Sequence, residues 1–161
     1  MVTAVRSPNV FATVRVAPHC VALGQKRYLT VKMQNPTGGA VIGVLHMGQP
    51  NLSADGLYEP GHPGSVLSMG CCWYTDSNGS WYFYNGLYGA APGGFVSEDE
   101  VSAVVDRRAQ SGNGSNGVVR FLRNGKALEE AEPLPIGFAD EAVLVVSLCH
   151  TGASVKIVSI E

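Results

Sequence analysis

Histidine and cysteine are two residue types that could hold a metal ion, and cysteine could also carry out redox chemistry. The chain has four of each, at Cys20, Cys71, Cys72, Cys149, His19, His46, His62 and His150. No pair of them has the C-x-x-C or H-x-x-x-H spacing that brings two ligands to one metal. Adjacent residues such as Cys71 and Cys72 would point to opposite faces of a strand. We therefore expect no metal site, and reduced thiols that pack as small apolar side chains.

Carboxylates could act as general acids or bases. The candidates are Asp76, Asp99, Asp106 and the pair Glu98 and Glu100. They stand in turns or at the ends of apolar runs, where carboxylates are common as solvated structural residues. No glycine loop precedes a helix, which is the arrangement that holds a phosphate. The sequence therefore predicts neither an enzyme nor a cofactor, with a catalytic site that these patterns do not reveal as the alternative.

Length and charge exclude several classes of protein. At 161 residues the chain suits one domain, which would bury roughly 70% of the surface that its unfolded chain exposes. The net charge of −2 gives no basic field for nucleic acid. The longest apolar run, residues 142–149, is far shorter than the ~20 residues that span a bilayer, and the N-terminus lacks an apolar signal region. We expect a soluble cytoplasmic protein without a membrane or nucleic-acid partner.

Aromatic side chains concentrate in residues 71–86, CCWYTDSNGSWYFYNG, and could form a ligand-binding cage. The polar DSNG segment indicates a turn between two strands. In the second strand Trp81 and Phe83 would share one face, and Tyr82 and Tyr84 the other. The aromatic residues are therefore expected to divide between core and surface.

The elements that must position these residues are short. Twenty glycines and nine prolines separate runs rich in valine, isoleucine and aromatic residues, which is typical of an all-β sandwich. In RYLTVKM, Leu29, Val31 and Met33 alternate with more polar neighbours, so one face of this strand is expected in a core. AVIGVLHM and EAVLVVSLC are apolar on both faces, which predicts central strands.

Turn chemistry predicts how some of these runs connect. The Asn-Gly pair in RNGK, residues 123–126, favours a tight hairpin that makes GVVRFL and KALEEA antiparallel partners. Longer loops are expected at residues 48–64, 86–94 and 109–117.

One segment, SEDEVSAVVDRR, has two interpretations. Ser97 and Glu100 have the spacing of a capping box, and the apolar residues that follow could form a helical stripe. Alternatively, SEDE is a turn and VSAVVD a strand with Val101, Ala103 and Val105 on one face. The local pattern leaves both open.

Three motifs occur in a characteristic order: CCWYTDSNG, then FVSEDEVSAVVD, then GVVRFLRNGKAL. This order resembles the SPRY domain family, in which a tryptophan-containing strand precedes an acidic turn, a strand ending in Asp, and a strand that leads into an Asn-Gly turn. FATVRV, RYLTVKM and AVIGVLHM fit the preceding strands of the family, and AVLVVSLCHTGASVKIVSI fits its final pair. The match covers roughly residues 10–161.

The resemblance implies a bent, jelly-roll-like sandwich of two antiparallel β-sheets with little or no helix, and it makes VSAVVD a strand. It predicts one SPRY-like domain over residues 1–161, with residues 1–9 as an N-terminal extension. The chain departs from the family by starting without its first strand and by a long, irregular region at residues 48–70.

SPRY domains mostly bind peptide segments of partner proteins through a shallow, loop-lined surface, without catalysis. The resemblance therefore implies a protein-interaction domain, which we expect to be monomeric. By position in the motifs, the contact residues would be Tyr84, Tyr82, Arg15, Pro18, His150 and Thr151. Trp73 matches a tryptophan of the packed framework. A carbohydrate-binding, lectin-like module with the same general architecture is the alternative.

Overall fold

The computed structural model describes residues 2–3, 11–35, 40–46, 57–58, 70–74, 80–83, 86–90, 96–108, 115–127, 134–136, 141–148 and 152–161. All regular structure within these ranges is β-strand. In chain order the strands are β1 (Val2–Thr3), β2 (Phe11–Val21), β3 (Lys26–Asn35), β4 (Ala40–His46), β5 (Leu57–Tyr58), β6 (Gly70–Tyr74), β7 (Ser80–Phe83), β8 (Gly86–Ala90), β9 (Glu100–Asp106), β10 (Val118–Arg123), β11 (Lys126–Ala127), β12 (Leu134–Pro135), β13 (Ala142–Leu148) and β14 (Ser154–Ile160).

The described strands form two antiparallel sheets of seven strands each. In the first sheet the order is β1-β14-β3-β9-β10-β11, and β12 also pairs with β10. In the second sheet the order is β5-β2-β13-β4-β6-β7-β8. The predicted all-β architecture of two antiparallel sheets is confirmed. Residues 1–9, predicted as an extension, include β1, which pairs with β14.

A single apolar cluster joins the two sheets. In the first sheet Leu29, Ala103 and Phe121 lie directly opposite one another across β3, β9 and β10. They belong to the same buried cluster as Ile42 and Leu144 of the second sheet. Burying one large apolar side chain contributes roughly 1.5–3 kcal/mol, so this cluster provides the main stabilisation of the sandwich.

The alternation predicted for β3 is confirmed. Leu29, Val31 and Met33 are buried, whereas Thr30 and Lys32 between them are partly exposed. Successive side chains of a strand point to opposite faces, so β3 turns one face to the core and one outward.

The prediction of central strands is also confirmed. β13 lies between β2 and β4 in the second sheet. Val143 and Val145 are buried, as are Leu144 and Val146 on the opposite face. A strand covered on both faces requires apolar residues at consecutive positions, and this explains the unbroken apolar run in this part of the sequence.

The segment SEDEVSAVVDRR, residues 97–108, for which the sequence left a helix and a strand open, is a turn followed by a strand. The backbone N–H of Asp99 donates to the carbonyl of Val96 at 3.2 Å, which closes a turn in which Glu98 has φ of +73°. A positive φ at this position interrupts any helix. Both groups that a capping box would use are engaged elsewhere, because the Ser97 hydroxyl donates to the Gln34 carbonyl and the Glu100 N–H donates to Asn124 Oδ1.

The predicted Asn-Gly hairpin is confirmed. Asn124 and Gly125 both have positive φ, 51° and 76°, as a type I′ turn requires. The described pairing covers Arg123 with Lys126 and Leu122 with Ala127, and the remainder of the second run, from residue 128, lies outside the described residues.

The prediction of a loop over residues 86–94 is wrong for its first half. Gly86–Ala90 form β8, which pairs with β7 at the edge of the second sheet. Glycine weakens a strand interior by lacking a side chain, but it is tolerated where backbone pairing on one side defines the strand. Short β5 also lies within the predicted 48–64 loop.

Gly117 occupies a position that excludes other residues. Its φ is +130°, and an added Cβ would lie 2.6 Å from the Asp106 carbonyl oxygen and 2.9 Å from the Arg107 Cα. Gly125 also has positive φ, but an added Cβ there would meet nothing within 4 Å.

We predict that Gly117→Ala lowers the free energy of unfolding by about 3 kcal/mol or more, because backbone strain and a steric clash add. Gly125→Ala is the matched control, because it introduces backbone strain without a steric clash. We expect it to lower the free energy of unfolding by about 1–2 kcal/mol. Urea denaturation of both variants measures the difference. Equal losses would show that the close approach at Gly117 is absent.

Candidate functional site

The predicted contact residues fall in different parts of the fold. Tyr84, His150 and Thr151 lie outside the described residues. Arg15 and Pro18 lie in β2, and Tyr82 lies in β7. The register of the second sheet gives the relative positions of Arg15, Pro18 and Tyr82. It also gives the positions of the strands that flank the other three predicted residues.

Arg15 and Tyr82 lie in the same row across the second sheet. Arg15 is the register partner of Val145, Val145 of Gly43, Gly43 of Cys72, and Cys72 of Tyr82. Four strand spacings separate the two ends of this row, which corresponds to roughly 19 Å. The two residues therefore cannot line one small pocket, but a shallow surface could include both.

Two of the three residues between Arg15 and Tyr82 in this row have a described exposure, and both are buried. Val145 is 0% exposed and Gly43 is buried.

Pro18 lies where the ladder of β2 is interrupted. Arg15 pairs with Val145 and Cys20 pairs with Val143, so four residues of β2 stand opposite the single residue Leu144. Proline cannot donate a ladder hydrogen bond and is typically confined to such bulges and to edges. The bulge therefore explains how a proline is accommodated within β2.

The strands that flank Tyr84 and those that flank His150 and Thr151 lead to different ends of the second sheet. Phe83, the residue before Tyr84, lies in the same row across the second sheet as Leu144 of β13. The segment with His150 and Thr151 follows Leu148, four residues further along β13 and three strands away from β7. These offsets correspond to about 13 Å along the strand and about 14 Å across the sheet. The described strands thus do not bring the two groups together.

The connection after β13 is held to β3 at its far end. The side-chain amide of Asn35 donates to the carbonyl of Gly152 at 3.0 Å. Gly152 has φ of +88°, and Ala153 after it is fully buried. These contacts anchor the point at which the chain crosses from the second sheet to the first.

Asp99 forms a buried polar centre at the turn before β9. It is 7% exposed, and its carboxylate accepts hydrogen bonds from the Val96 N–H at 2.9 Å and the Asn124 amide at 2.9 Å. Arg123 Nη2 lies 2.7 Å from Asp99 Oδ2. The Asp99 carbonyl also accepts from the Met33 N–H at 2.8 Å. One side chain thereby ties the acidic turn to the hairpin between β10 and β11.

The electrostatics of Asp99 follow from these contacts. Burial alone would raise its pKa, but the hydrogen bonds from its three partners outweigh burial and hold the pKa below the ordinary value of 3.8. The expectation that this carboxylate is solvated is therefore wrong. A signal was present in the sequence, since antiparallel pairing of the strands before and after residues 109–117 brings the Asn-Gly hairpin next to the acidic turn.

Arg107 has the equivalent role at the opposite end of the first sheet. It is 2% exposed, and its guanidinium donates to the carbonyls of Asn116 and Val21, both at 2.9 Å. The Arg107 carbonyl accepts from the Gly24 N–H at 2.8 Å. No pattern in the sequence distinguished this arginine from the exposed Arg108 beside it.

Asp106 is a second structural carboxylate. Arg108 donates to both of its oxygens, at 3.0 and 2.7 Å, and Lys26 Nζ lies 3.9 Å away. The hydrogen bonds from Arg108 lower the pKa of Asp106 from 3.8 to about 2, against a smaller opposing effect of burial.

In the described ranges, no three His, Cys, Asp or Glu side chains meet in a way that could hold a metal ion.

Comparison with known proteins identifies the fold. The structure is similar to the SPRY domain of human HERC1, with 19% identity, coverage of 94% of this chain and 83% of that chain, and a TM-score of 0.58. A second human SPRY domain matches with 14% identity, coverage of 94% and 86%, and a TM-score of 0.59. The chain has a SPRY-like fold.

The SPRY-like fold is also shared in outline by a lectin-like domain. The carbohydrate recognition domain of Emp46p matches with 7% identity, coverage of 96% of this chain and 78% of that chain, and a TM-score of 0.60. No protein-family model and no curated protein matches the sequence. Among the described residues, no helix is long and apolar enough to cross a bilayer.

We predict that Asp99→Ala lowers the free energy of unfolding by roughly 2 kcal/mol, because it leaves the Arg123 charge, the Val96 N–H and the Asn124 amide without their shared acceptor. Glu98→Ala is the matched control. It removes the same charge from the same turn, but at an exposed side chain paired with Lys32. Denaturation of both variants should show a much smaller loss for Glu98→Ala, and comparable losses would contradict the structural role of Asp99.

Asp106 should contribute to acid sensitivity. Because its pKa in the folded state is lower than in the unfolded chain, the ionised form contributes stability above about pH 4 that is lost as the pH falls toward 2. We predict that Asp106→Asn flattens the decline in unfolding free energy between these pH values. Parallel curves for the variant and the parent protein would show that Asp106 does not contribute.

Proposed function

We propose that the chain is a non-catalytic protein-interaction domain that binds a short peptide or loop of a partner protein. The observation that supports this function is the likeness of nearly the whole chain to two SPRY domains. The buried charged residues agree with it, since Asp99 and Arg107 bind backbone groups and hold turns in place.

The proposed contact surface lies on the second sheet and its connections. Tyr84 is its centre, with Tyr82, Arg15 and Pro18 as further contacts. Tyrosine suits this role because it offers a large rigid area and a hydroxyl, and loses little side-chain entropy on binding. The row from Arg15 to Tyr82 has the length of an extended segment of roughly six residues.

His150 and Thr151 are proposed as contacts of a partner that reaches the other end of the same sheet. The strands around them lie far from those around Tyr84 along β13. A short peptide that binds at Tyr84 therefore need not touch them, whereas a folded loop of a partner could.

The cellular setting is part of the proposal. We infer that residues 1–161 act as one domain, that the domain is monomeric, and that it works in the cytoplasm. A binding module of this kind requires no cofactor, because recognition rests on surface contacts alone.

A carbohydrate-binding module is a second candidate function. The specific observation in its favour is the shared fold with the carbohydrate recognition domain of Emp46p. Aromatic side chains such as those of residues 81–84 could stack on sugar rings. A glycan array decides between the two, since saturable binding to a defined glycan would replace the protein-interaction function.

We predict that Tyr84→Ala weakens binding of a captured partner by at least about tenfold, the effect of removing one anchor residue from an interface. A partner is first recovered by affinity capture and mass spectrometry, and a peptide shared among the recovered proteins is titrated by calorimetry. Tyr84→Phe is the matched control that keeps the ring and removes the hydroxyl. Unchanged affinity for Tyr84→Ala in a folded protein would remove Tyr84 from the site.

A further inference from the structure

Asparagine is followed directly by glycine at five places in the chain, at residues 78–79, 85–86, 113–114, 116–117 and 124–125. Asparagine is a thermolabile residue, because the following backbone nitrogen can attack its side-chain amide. Glycine favours this attack, since it has no Cβ to keep its nitrogen away from the amide carbon. The structure describes two of the five pairs, Asn116–Gly117 and Asn124–Gly125, and their surroundings differ.

The pair Asn116–Gly117 is enclosed. The Asn116 N–H donates to the Ile136 carbonyl at 2.7 Å, and the Gly117 carbonyl accepts from the Ile136 N–H at 2.8 Å. Arg107 Nε donates to the Asn116 carbonyl at 2.9 Å, and the Arg107 Cα would lie 2.9 Å from a Cβ added to Gly117. The backbone of this pair is therefore fixed from two sides.

The pair Asn124–Gly125 is open at the tip of its hairpin. Both residues are exposed, and a Cβ added to Gly125 would meet nothing within 4 Å. In the described part of the chain no hydrogen bond holds the Gly125 N–H. The nitrogen that would attack the Asn124 amide is thus unengaged and accessible to water.

The side chain of Asn124 is restrained by the acidic turn. Its Nδ2 donates to Asp99 Oδ1 at 2.9 Å, and its Oδ1 accepts from the Glu100 N–H at 2.9 Å. Attack by Gly125 requires the amide to turn toward the glycine, and departure of Nδ2 requires loss of its hydrogen bond to Asp99. Local opening of these two bonds therefore controls how often the amide can react.

We propose that Asn124 is a site of spontaneous deamidation that Asp99 holds back, and that the product detaches the hairpin from the acidic turn. This inference is independent of the proposed function. The Gly125 nitrogen gives its proton to water and bonds to Asn124 Cγ, the Cγ–Nδ2 bond breaks, and Nδ2 takes up a proton from water and leaves as ammonia. Water then opens the cyclic imide at either carbonyl and leaves aspartate or isoaspartate. One water is consumed and one ammonia released, with no change of oxidation state.

The product would oppose the contact that Asn124 now makes. Its carboxylate would stand at hydrogen-bond distance from Asp99 Oδ1, where Nδ2 donates in the intact protein. Two like charges at this distance repel, and most strongly in a partly buried turn. Isoaspartate also lengthens the backbone of a two-residue turn, which disturbs the pairing of Arg123 with Lys126. The reaction therefore weakens this end of the first sheet in one direction only.

Peptide mapping by mass spectrometry tests the site. The folded protein and a sample in urea are incubated at neutral pH, and cleavage after Glu100 and Glu129 releases Asn116 and Asn124 in one peptide. We expect Asn124 to convert faster than Asn116 in the folded protein, and both to convert at similar rates in urea. Conversion of Asn116 at an equal or higher rate in the folded protein would overturn the proposal. So would an Asn124 that stays intact in the folded protein while the unfolded chain reacts.

Asp99→Ala tests the restraint. We expect it to accelerate conversion of Asn124 by about tenfold, the factor that corresponds to one lost hydrogen bond of about 1.4 kcal/mol. Val44→Ala is the control, because it removes methyl groups from a residue buried in the second sheet and lowers global stability without touching the hydrogen bonds of Asn124. We expect it to change the rate by less than about twofold. Equal acceleration by both variants, or none by Asp99→Ala, would show that Asp99 does not hold the reaction back.

Asn124→Asp tests the effect of the product. We expect it to lower the urea denaturation midpoint of the parent protein. In an Asp99→Asn background the same change should lower the midpoint much less, because an amide at position 99 can donate to the new carboxylate. Equal shifts in the two backgrounds, or no shift in the parent, would contradict repulsion between residues 99 and 124.

Discussion

Packing between the two sheets is the interaction on which the other features depend. Alternate residues of β3, β9 and β10, such as Leu29, Ala103 and Phe121, meet apolar residues of β4 and β13 in one buried cluster. The period of two in a strand sets which residues enter this cluster and which face outward. The outward residues of the first sheet are therefore placed by the packing of their neighbours. The row that contains Arg15 and Tyr82 is placed in the second sheet by the register of β13 and β4.

Two buried charged residues complete the scaffold at opposite ends of the first sheet. Asp99 joins the acidic turn to the Asn-Gly hairpin, and Arg107 joins the end of β9 to the turn between β2 and β3. A buried charge is stable only when partners satisfy it, and both residues have such partners. Turns held in this way keep a defined conformation at both ends of the first sheet.

The sequence predicted the parts of this fold that depend on local period and turn chemistry. The alternation in β3, the doubly buried β13 and the positive φ values at Asn124 and Gly125 all follow from neighbouring residues. The buried state of Asp99 and Arg107 depends on strands that are distant in the chain, so local patterns assigned Asp99 to solvent and did not single out Arg107. The strand β8 was missed because its glycines resemble a loop. The spread of the predicted contact residues over the second sheet likewise depends on strand order, which the motifs do not contain.

The central claim is that the domain binds a partner protein through the second sheet and the connections near Tyr84. Hydrogen–deuterium exchange of the domain, with and without a captured partner, tests it most directly. The account predicts that the partner slows exchange in the segment between β7 and β8 and around the bulge of β2 that contains Pro18. Exchange that stays the same in both segments while the partner is bound would contradict it.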